Sequence, residues 1–180
     1  MLMNKSQKGV GLIEVLVALL LLAIGVLGYS LLQLRAIDAS GEALNRSQGM
    51  LILRGLAENM RANPLAQNNY PTAVRGYTNI TAAPTAPATV CFNPATACTP
   101  AQMAAYDAFM AARSAFEIGM NITMDNCPGV GSAPQQRQCL FIAWGNTTLS
   151  STNAAANVSG CMGATGVYVN GSNCLMMEAY

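Results

Sequence analysis

The sequence predicts an α+β protein in which a long N-terminal helix, membrane-spanning in its first half and amphipathic in its second, packs on a small antiparallel sheet head. Three observations predict it. An apolar run of membrane-crossing length opens the 180-residue chain, helical spacing of apolar residues then continues as far as Asn63-Pro64, and alternating apolar residues return in the last third among four of the six cysteines.

The first element begins at Lys8-Gly9-Val10-Gly11-Leu12-Ile13-Glu14-Val15-Leu16 and stays apolar to about Leu34. No charged residue occurs from Val15 to Leu32, and at 1.5 Å per residue such a helix covers a hydrocarbon core of about 30 Å. Glu14 stands inside this run, where a carboxylate costs roughly 2.5–3.5 kcal/mol on insertion scales. It therefore needs a partner. A secretory signal peptide fits Lys5 and Lys8 followed by apolar residues, but its apolar region normally lacks a carboxylate and ends at a small-x-small site. A plain anchor, with the lysines holding the N-terminus in the cytoplasm, leaves Glu14 unexplained. A buried core helix fails because so small a chain cannot surround eighteen apolar residues. The reading that uses every residue is cleavage after Gly9, which creates an amino group on Val10, with Glu14 as countercharge for that amine on a neighbouring copy.

Helical character continues through Ile37, Leu44, Leu51, Ile52, Leu56 and Met60, spaced among Asp38, Glu42, Arg46, Arg54, Glu58 and Arg61. Pro64 ends it near Ala62, because proline lacks a donor and disfavours the helical region for the residue before it. Gly25, Gly28, Gly41, Gly49 and Gly55 each weaken the helix by up to about 1 kcal/mol relative to alanine. They fit either close packing in a bundle or, at Gly25 and Gly28, a segment that melts when subunits stack. The expected divisions are 1–9 as a leader, 10–34 as the transmembrane half, 35–62 as the amphipathic half and 63–180 as the head.

Residues 65–90, with Pro71, Pro84 and Pro87, show no sustained period and are expected to form a long surface loop. A second helix begins at Thr99-Pro100-Ala101-Gln102, which supplies an N-cap, a proline at the first helical position and a capping-box glutamine. It should run to Phe116 or Glu117 and pack through Met103, Tyr106, Phe109, Met110 and Phe116, a core stripe that implies no cofactor. Alternation then places Ile118, Met120, Ile122 and Met124 on one strand, and Leu140, Ile142 and Trp144 on another. A last strand is expected from Cys174 to Tyr180, with a short one at Gly166 to Val169. Short or disulfide-bound connections favour antiparallel pairing, with one apolar face against the long helix.

Cys91, Cys98, Cys127, Cys139, Cys161 and Cys174 all follow the membrane segment, which points to disulfides made in an oxidising compartment. A zinc site is disfavoured because there is no histidine and no CxxC. Six cysteines allow fifteen complete pairings. The local set, Cys91 with Cys98, Cys127 with Cys139 and Cys161 with Cys174, is expected because each closes a short polar or glycine-bearing loop.

Composition narrows the function classes. Charged residues make up only 9% of the chain, against about a quarter in ordinary soluble proteins. Loss of Lys5 and Lys8 with the leader leaves seven arginines against eight acids. The arginines are scattered, so there is no clustered basic face for nucleic acid. Without histidine the usual general base is missing, and Asp107, Glu117, Asp125 and Glu178 show no paired spacing. Gly129-Val130-Gly131 lacks the Lys-Ser or Lys-Thr ending of a phosphate loop. No enzymatic activity, cofactor or metal is expected.

The arrangement of Gly9, Val10 and Glu14 resembles the class III signal of type IV pilins and pseudopilins. The resemblance implies cleavage after Gly9 by a prepilin peptidase, N-methylation of Val10 and a packing glutamate at Glu14. Val10 stands where phenylalanine is usual, and Gly11 where threonine or serine is common. Within that superfamily, Leu12-Ile13-Glu14-Val15-Leu16-Val17-Ala18-Leu19-Leu20, Ala23-Ile24-Gly25-Val26-Leu27-Gly28 and Leu32-Gln33 resemble the PilV-type minor pilins, or type IV pilus modification proteins. Glu58-Asn59-Met60-Arg61-Ala62-Asn63-Pro64 and Ala105-Tyr106-Asp107 are similar to them as well. What this implies is a pilin-like minor subunit that sits in the inner membrane with a periplasmic head and then enters a type IV pilus at the cell surface. Its partners would be the major pilin and other minor pilins, and its role pilus assembly, twitching motility, adhesion or DNA uptake. A minor pseudopilin of a type II secretion system shares the same signal and is the alternative.

Overall fold

The computed structural model describes residue 9 and residues 11–93, 97–130, 137–152 and 154–180. They form two compact units, the first reaching Leu44 and the second running from Asn45 to Tyr180.

One helix, α1, spans Leu12–Ala62 and contributes to both units. Its stop is where Pro64 requires it, and a 3-10 turn, Pro64–Asn69, follows directly. In the first unit no residue of the apolar window is buried. In the second, Leu53, Leu56, Ala57 and Met60 recur on one face and are buried in the main core. Gly49 lies over the sheet, and a Cβ there would meet Ile142 Cγ2 at 3.2 Å. The missing side chain lets helix and sheet approach closely.

The expected loop at 65–90 contains structure. Beyond the 3-10 turn, α2 covers Tyr70–Arg75, and Ala66, Tyr70 and Val74 are buried in the core. The period is invisible in the sequence because the pieces are only six residues long and Pro71, which reads as a breaker, occupies a first-turn position where its missing donor costs nothing.

α3 spans Pro100–Glu117, with Thr99 accepting from the Gln102 amide and Gln102 accepting from the Thr99 amide, a complete capping box. Its packing face differs from the expected aromatic stripe. Ala104, Ala108, Ala112 and Ala115 are buried together with Phe109, whereas Met110 is exposed and Met103, Tyr106 and Phe116 are only partly covered. Alanines at helical spacing bring the α3 backbone close to its neighbours, so the larger side chains lie at the margins of the contact.

At the end of α3, Gly119 has φ +73°, the Met120 amide donates to the Ala115 carbonyl at 2.8 Å, and the Gly119 amide donates to the Phe116 carbonyl at 3.0 Å. This is a Schellman closure, which needs a residue in the left-handed region. It removes Ile118 from the strand expected there. The strand β1 therefore starts at Asn121 and ends at Asn126.

β1 pairs antiparallel with β2, Gln138–Ala143, and β2 pairs antiparallel with β5, Cys174–Glu178, giving the order β1-β2-β5. Two short strands, β3 (Ser150–Ser151) and β4 (Ala156–Asn157), form a separate pair. The segment Gly166 to Val169 supplies only an isolated bridge between Tyr168 and Met162. β5 ends two residues before the expected terminus, although Ala179 and Tyr180 still exchange backbone bonds with Gln138.

Both faces of the sheet are covered. Ile122, Met124, Leu140 and Ile142 join the α1 and α3 residues in the main core. Phe141, Ala143, Cys139 and Cys174 form a second cluster with Leu149, Cys161 and Met162 from the following loops. Those loops touch through backbone: Gly129, at φ +82°, lies so near Thr165 that a Cβ would come within 2.8 Å of its carbonyl oxygen.

Candidate functional site: the processing and assembly segment

The helix begins immediately after the glycines. Gly9 and Gly11 are exposed, and the Gly11 carbonyl accepts from the amides of Glu14 at 3.0 Å and Val15 at 3.3 Å, so α1 starts at Leu12. Glu14 is in the first turn, where a carboxylate complements the unsatisfied amides and the positive end of the helix dipole. It is exposed, as are its neighbours Leu12 (80%) and Ile13 (71%). Val10 and the lysines Lys5 and Lys8 lie outside the described residues.

The helix beyond is apolar on every side. Leu16, Leu19, Leu20, Leu22, Leu27 and Leu31 are each more than half exposed, and the best window has a mean hydropathy of 2.7. It is long and apolar enough to cross a membrane. The Ser30 hydroxyl donates to the Val26 carbonyl at 2.9 Å, so that polar group is satisfied by its own helix. The first-turn amides can only partly offset the charge of Glu14, because they offer partial charges and no cation. A surface of this size, carrying one acid, is complementary to lipid or to other helices of its kind and to a cation.

In the second unit the cysteines join neighbours in sequence: Cys91–Cys98, Cys127–Cys139 and Cys161–Cys174, at Sγ–Sγ distances of 2.07, 2.02 and 2.00 Å. The last two belong to the second core cluster, where Cys127–Cys139 closes the β1–β2 connection and Cys161–Cys174 ties a loop to β5. Among the described residues no group of three metal-binding side chains occurs.

Two polar arrangements in this unit were not visible in the sequence. Tyr70, fully buried, donates its hydroxyl to Asp107 Oδ2 at 2.7 Å and accepts from Asn63 Nδ2 at 3.3 Å. Burial pushes the Asp107 carboxyl above its usual range, and the Tyr70 bond pulls it partly back. Burial first, then the bond to Asp107, pushes the Tyr70 phenol far up. Arg75 and Asp125 pair at 3.5 Å with both side chains largely covered. Their partners lie 37 and 50 residues apart in the chain, so no local spacing could signal them.

Two protein-family models match the chain: the prokaryotic N-terminal methylation motif over residues 4–30, and type IV pilin Tt1218 over residues 31–109. No curated protein and no solved structure matches it. The methylation motif covers Gly9 and Glu14, and the pilin model continues through the rest of α1 into α3. The long N-terminal helix and the small antiparallel sheet are consistent with a pilin-like α+β fold. The two matches, over residues 4–30 and 31–109, support a type IV pilin, of a structural protein family processed by prepilin peptidase.

Proposed function

We propose that this pilin is a minor one, of the PilV-like kind, cut between Gly9 and Val10 and N-methylated on Val10. Residues 10–34 then anchor it in the inner membrane, with residues 63–180 as a periplasmic head on the amphipathic stretch 35–62. The anchor becomes the contact surface when the subunit leaves the bilayer for the pilus among major and other minor pilins. The observation that carries this reading is the unburied apolar run of α1 with Glu14 in its first turn. In lipid that carboxylate is uncompensated. Opposite the Val10 amine of a neighbouring subunit it is paired, and in a low dielectric the attraction exceeds its value in water. The incorporated subunit supports pilus assembly and, through the pilus, twitching motility, adhesion or DNA uptake. The match of residues 31–109 to a pilin model favours a pilus over a type II secretion pseudopilus.

Mass spectrometry of the subunit recovered from sheared pili tests the reading. A chain beginning at Val10 with one added methyl on its amine is expected. A subunit that retains Met1 or begins beyond Glu14 would remove the basis of the proposal.

A further inference from the structure

We propose that the pocket bounded by α2, β1, β2 and the C-terminal residue binds a neutral saccharide. The pocket encloses about 350 Å³, near the lower end of the roughly 300–1,000 Å³ usual for small-molecule sites. Five polar side chains converge on it from four separate elements: Asn68, Arg75, Asp125, Asn126 and Gln138.

These groups are held in place. Asp125 Oδ1 accepts from the Asn126 amide at 2.9 Å and Asp125 Oδ2 from the Ala156 amide at 2.6 Å, while Arg75 Nη1 lies 3.5 Å from the same carboxylate. The Gln138 amide nitrogen donates to Asn126 Oδ1, and the Ser151 hydroxyl donates to the Arg75 carbonyl. Two atoms of these lining residues have no partner within the protein, the donor Arg75 Nε and the acceptor Gln138 Oε1, both buried. A buried polar atom without a partner costs roughly 1–3 kcal/mol. A hydroxyl both donates and accepts, so a polyhydroxylated ligand suits the mixture of donors and acceptors that these five side chains present.

Charge and polarity disfavour ions and apolar ligands. Arg75 and Asp125 compensate each other, so an anion meets the aspartate and a cation meets the arginine. An apolar ligand would strand five polar side chains. Pro71 and Tyr180 add a patch of C–H and ring surface to the same pocket, which suits the C–H face of a pyranose while the amides take its hydroxyl rim. The Tyr180 hydroxyl is already committed to the Gln67 carbonyl at 2.9 Å, so the ring is fixed. This site lies wholly in the second unit and does not depend on where the subunit sits in a filament.

The test is a titration of the full-length, ¹⁵N-labelled chain in phosphocholine micelles, which carry no sugar headgroups. Galactose, glucose, mannose and N-acetylglucosamine are the probes, and glycerol is the control polyol. At least one hexose should give saturable shifts of the Gln138 and Asn68 side-chain amides and of Arg75 Nε–H, at a concentration at least tenfold below glycerol. Asn68→Ala, at the exposed rim, should weaken that binding at least fivefold and leave the β1 and β2 amide spectrum unchanged. Gln138→Ala supplies a second variant that removes the orphan acceptor and should also weaken it. No saturable hexose shift at these groups, equal response to glycerol, or undiminished affinity in both variants would overturn the proposal.

Discussion

The Tyr70 hydroxyl donates to Asp107 Oδ2 at 2.7 Å, joining α2 to α3 through a tyrosine with no exposed surface. Replacing Tyr70 by Phe leaves the carboxylate without this donor. At neutral pH the variant should lose about 1–3 kcal/mol of stability in denaturant unfolding. The deficit should shrink in acid, where Asp107 is protonated and costs less to bury.

The same pair sets a pH dependence. Because burial raises the Asp107 carboxyl in the folded state, the folded protein keeps a proton that the unfolded chain has already released. Stability from this group is full below the ordinary carboxylate range and falls as pH rises through the raised folded value. Asp107→Asn should flatten that segment of the stability–pH curve. A second decline is expected in alkali, since burial also raises Tyr70, Tyr77 and Tyr180 above ordinary phenols. Chemical denaturation across the pH range, with and without the substitution, reads both.

Two glycines of α1 should answer oppositely to substitution. Around Gly55 a Cβ meets nothing within 4 Å, so Gly55→Ala should stabilise by roughly 0.5–1 kcal/mol through helix propensity. A Cβ added at Gly49 would meet Ile142, Leu175 and Met120 at 3.2 to 3.7 Å, and Gly49→Leu should cost about 1–3 kcal/mol by overpacking. Thermal melts of the two variants decide it.

The three disulfides should differ in weight. Cys161–Cys174 and Cys127–Cys139 lie in the second core cluster, with Cys161, Cys139 and Cys174 at most 2% exposed, whereas Cys91–Cys98 closes a loop outside both clusters. Replacing either core pair by alanines should cost about 2–5 kcal/mol, and replacing Cys91 and Cys98 less. In the oxidised protein no alkylatable thiol is expected.

Much of the fold is legible where one residue type has only one physical use. Pro64 stops α1, Thr99 and Gln102 cap α3, and the uncharged run from Val15 to Leu32 requires covering from outside. Legibility fails where packing sets the pattern. The buried face of α3 is alanine because its neighbours come close, although hydrophobicity alone favours Met103, Tyr106 and Met110. α2 is too short to show a period, yet Tyr70 and Val74 are fully covered. The second face of the sheet is buried by irregular loops around Leu149, Cys161 and Met162, which no alternation announces. At the assembly segment, Gly9 and Glu14 are conspicuous in sequence. The Arg75–Asp125 and Tyr70–Asp107 pairs join distant positions and emerge only with the tertiary structure.

The most direct measurement concerns Glu14. Glu14→Gln keeps the size and removes the charge, so insertion of α1 should become easier, by less than the roughly 2.5–3.5 kcal/mol that a charge costs at the centre of a spanning helix, because the amide is still polar. Cleavage after Gly9 should persist. The number of variant subunits recovered in sheared pili, relative to the membrane-bound pool, is the quantity to measure. A countercharge role for Glu14 predicts that this ratio falls sharply while the processed variant accumulates in the membrane. A cleaved Gln variant that enters pili as abundantly as wild type would contradict it.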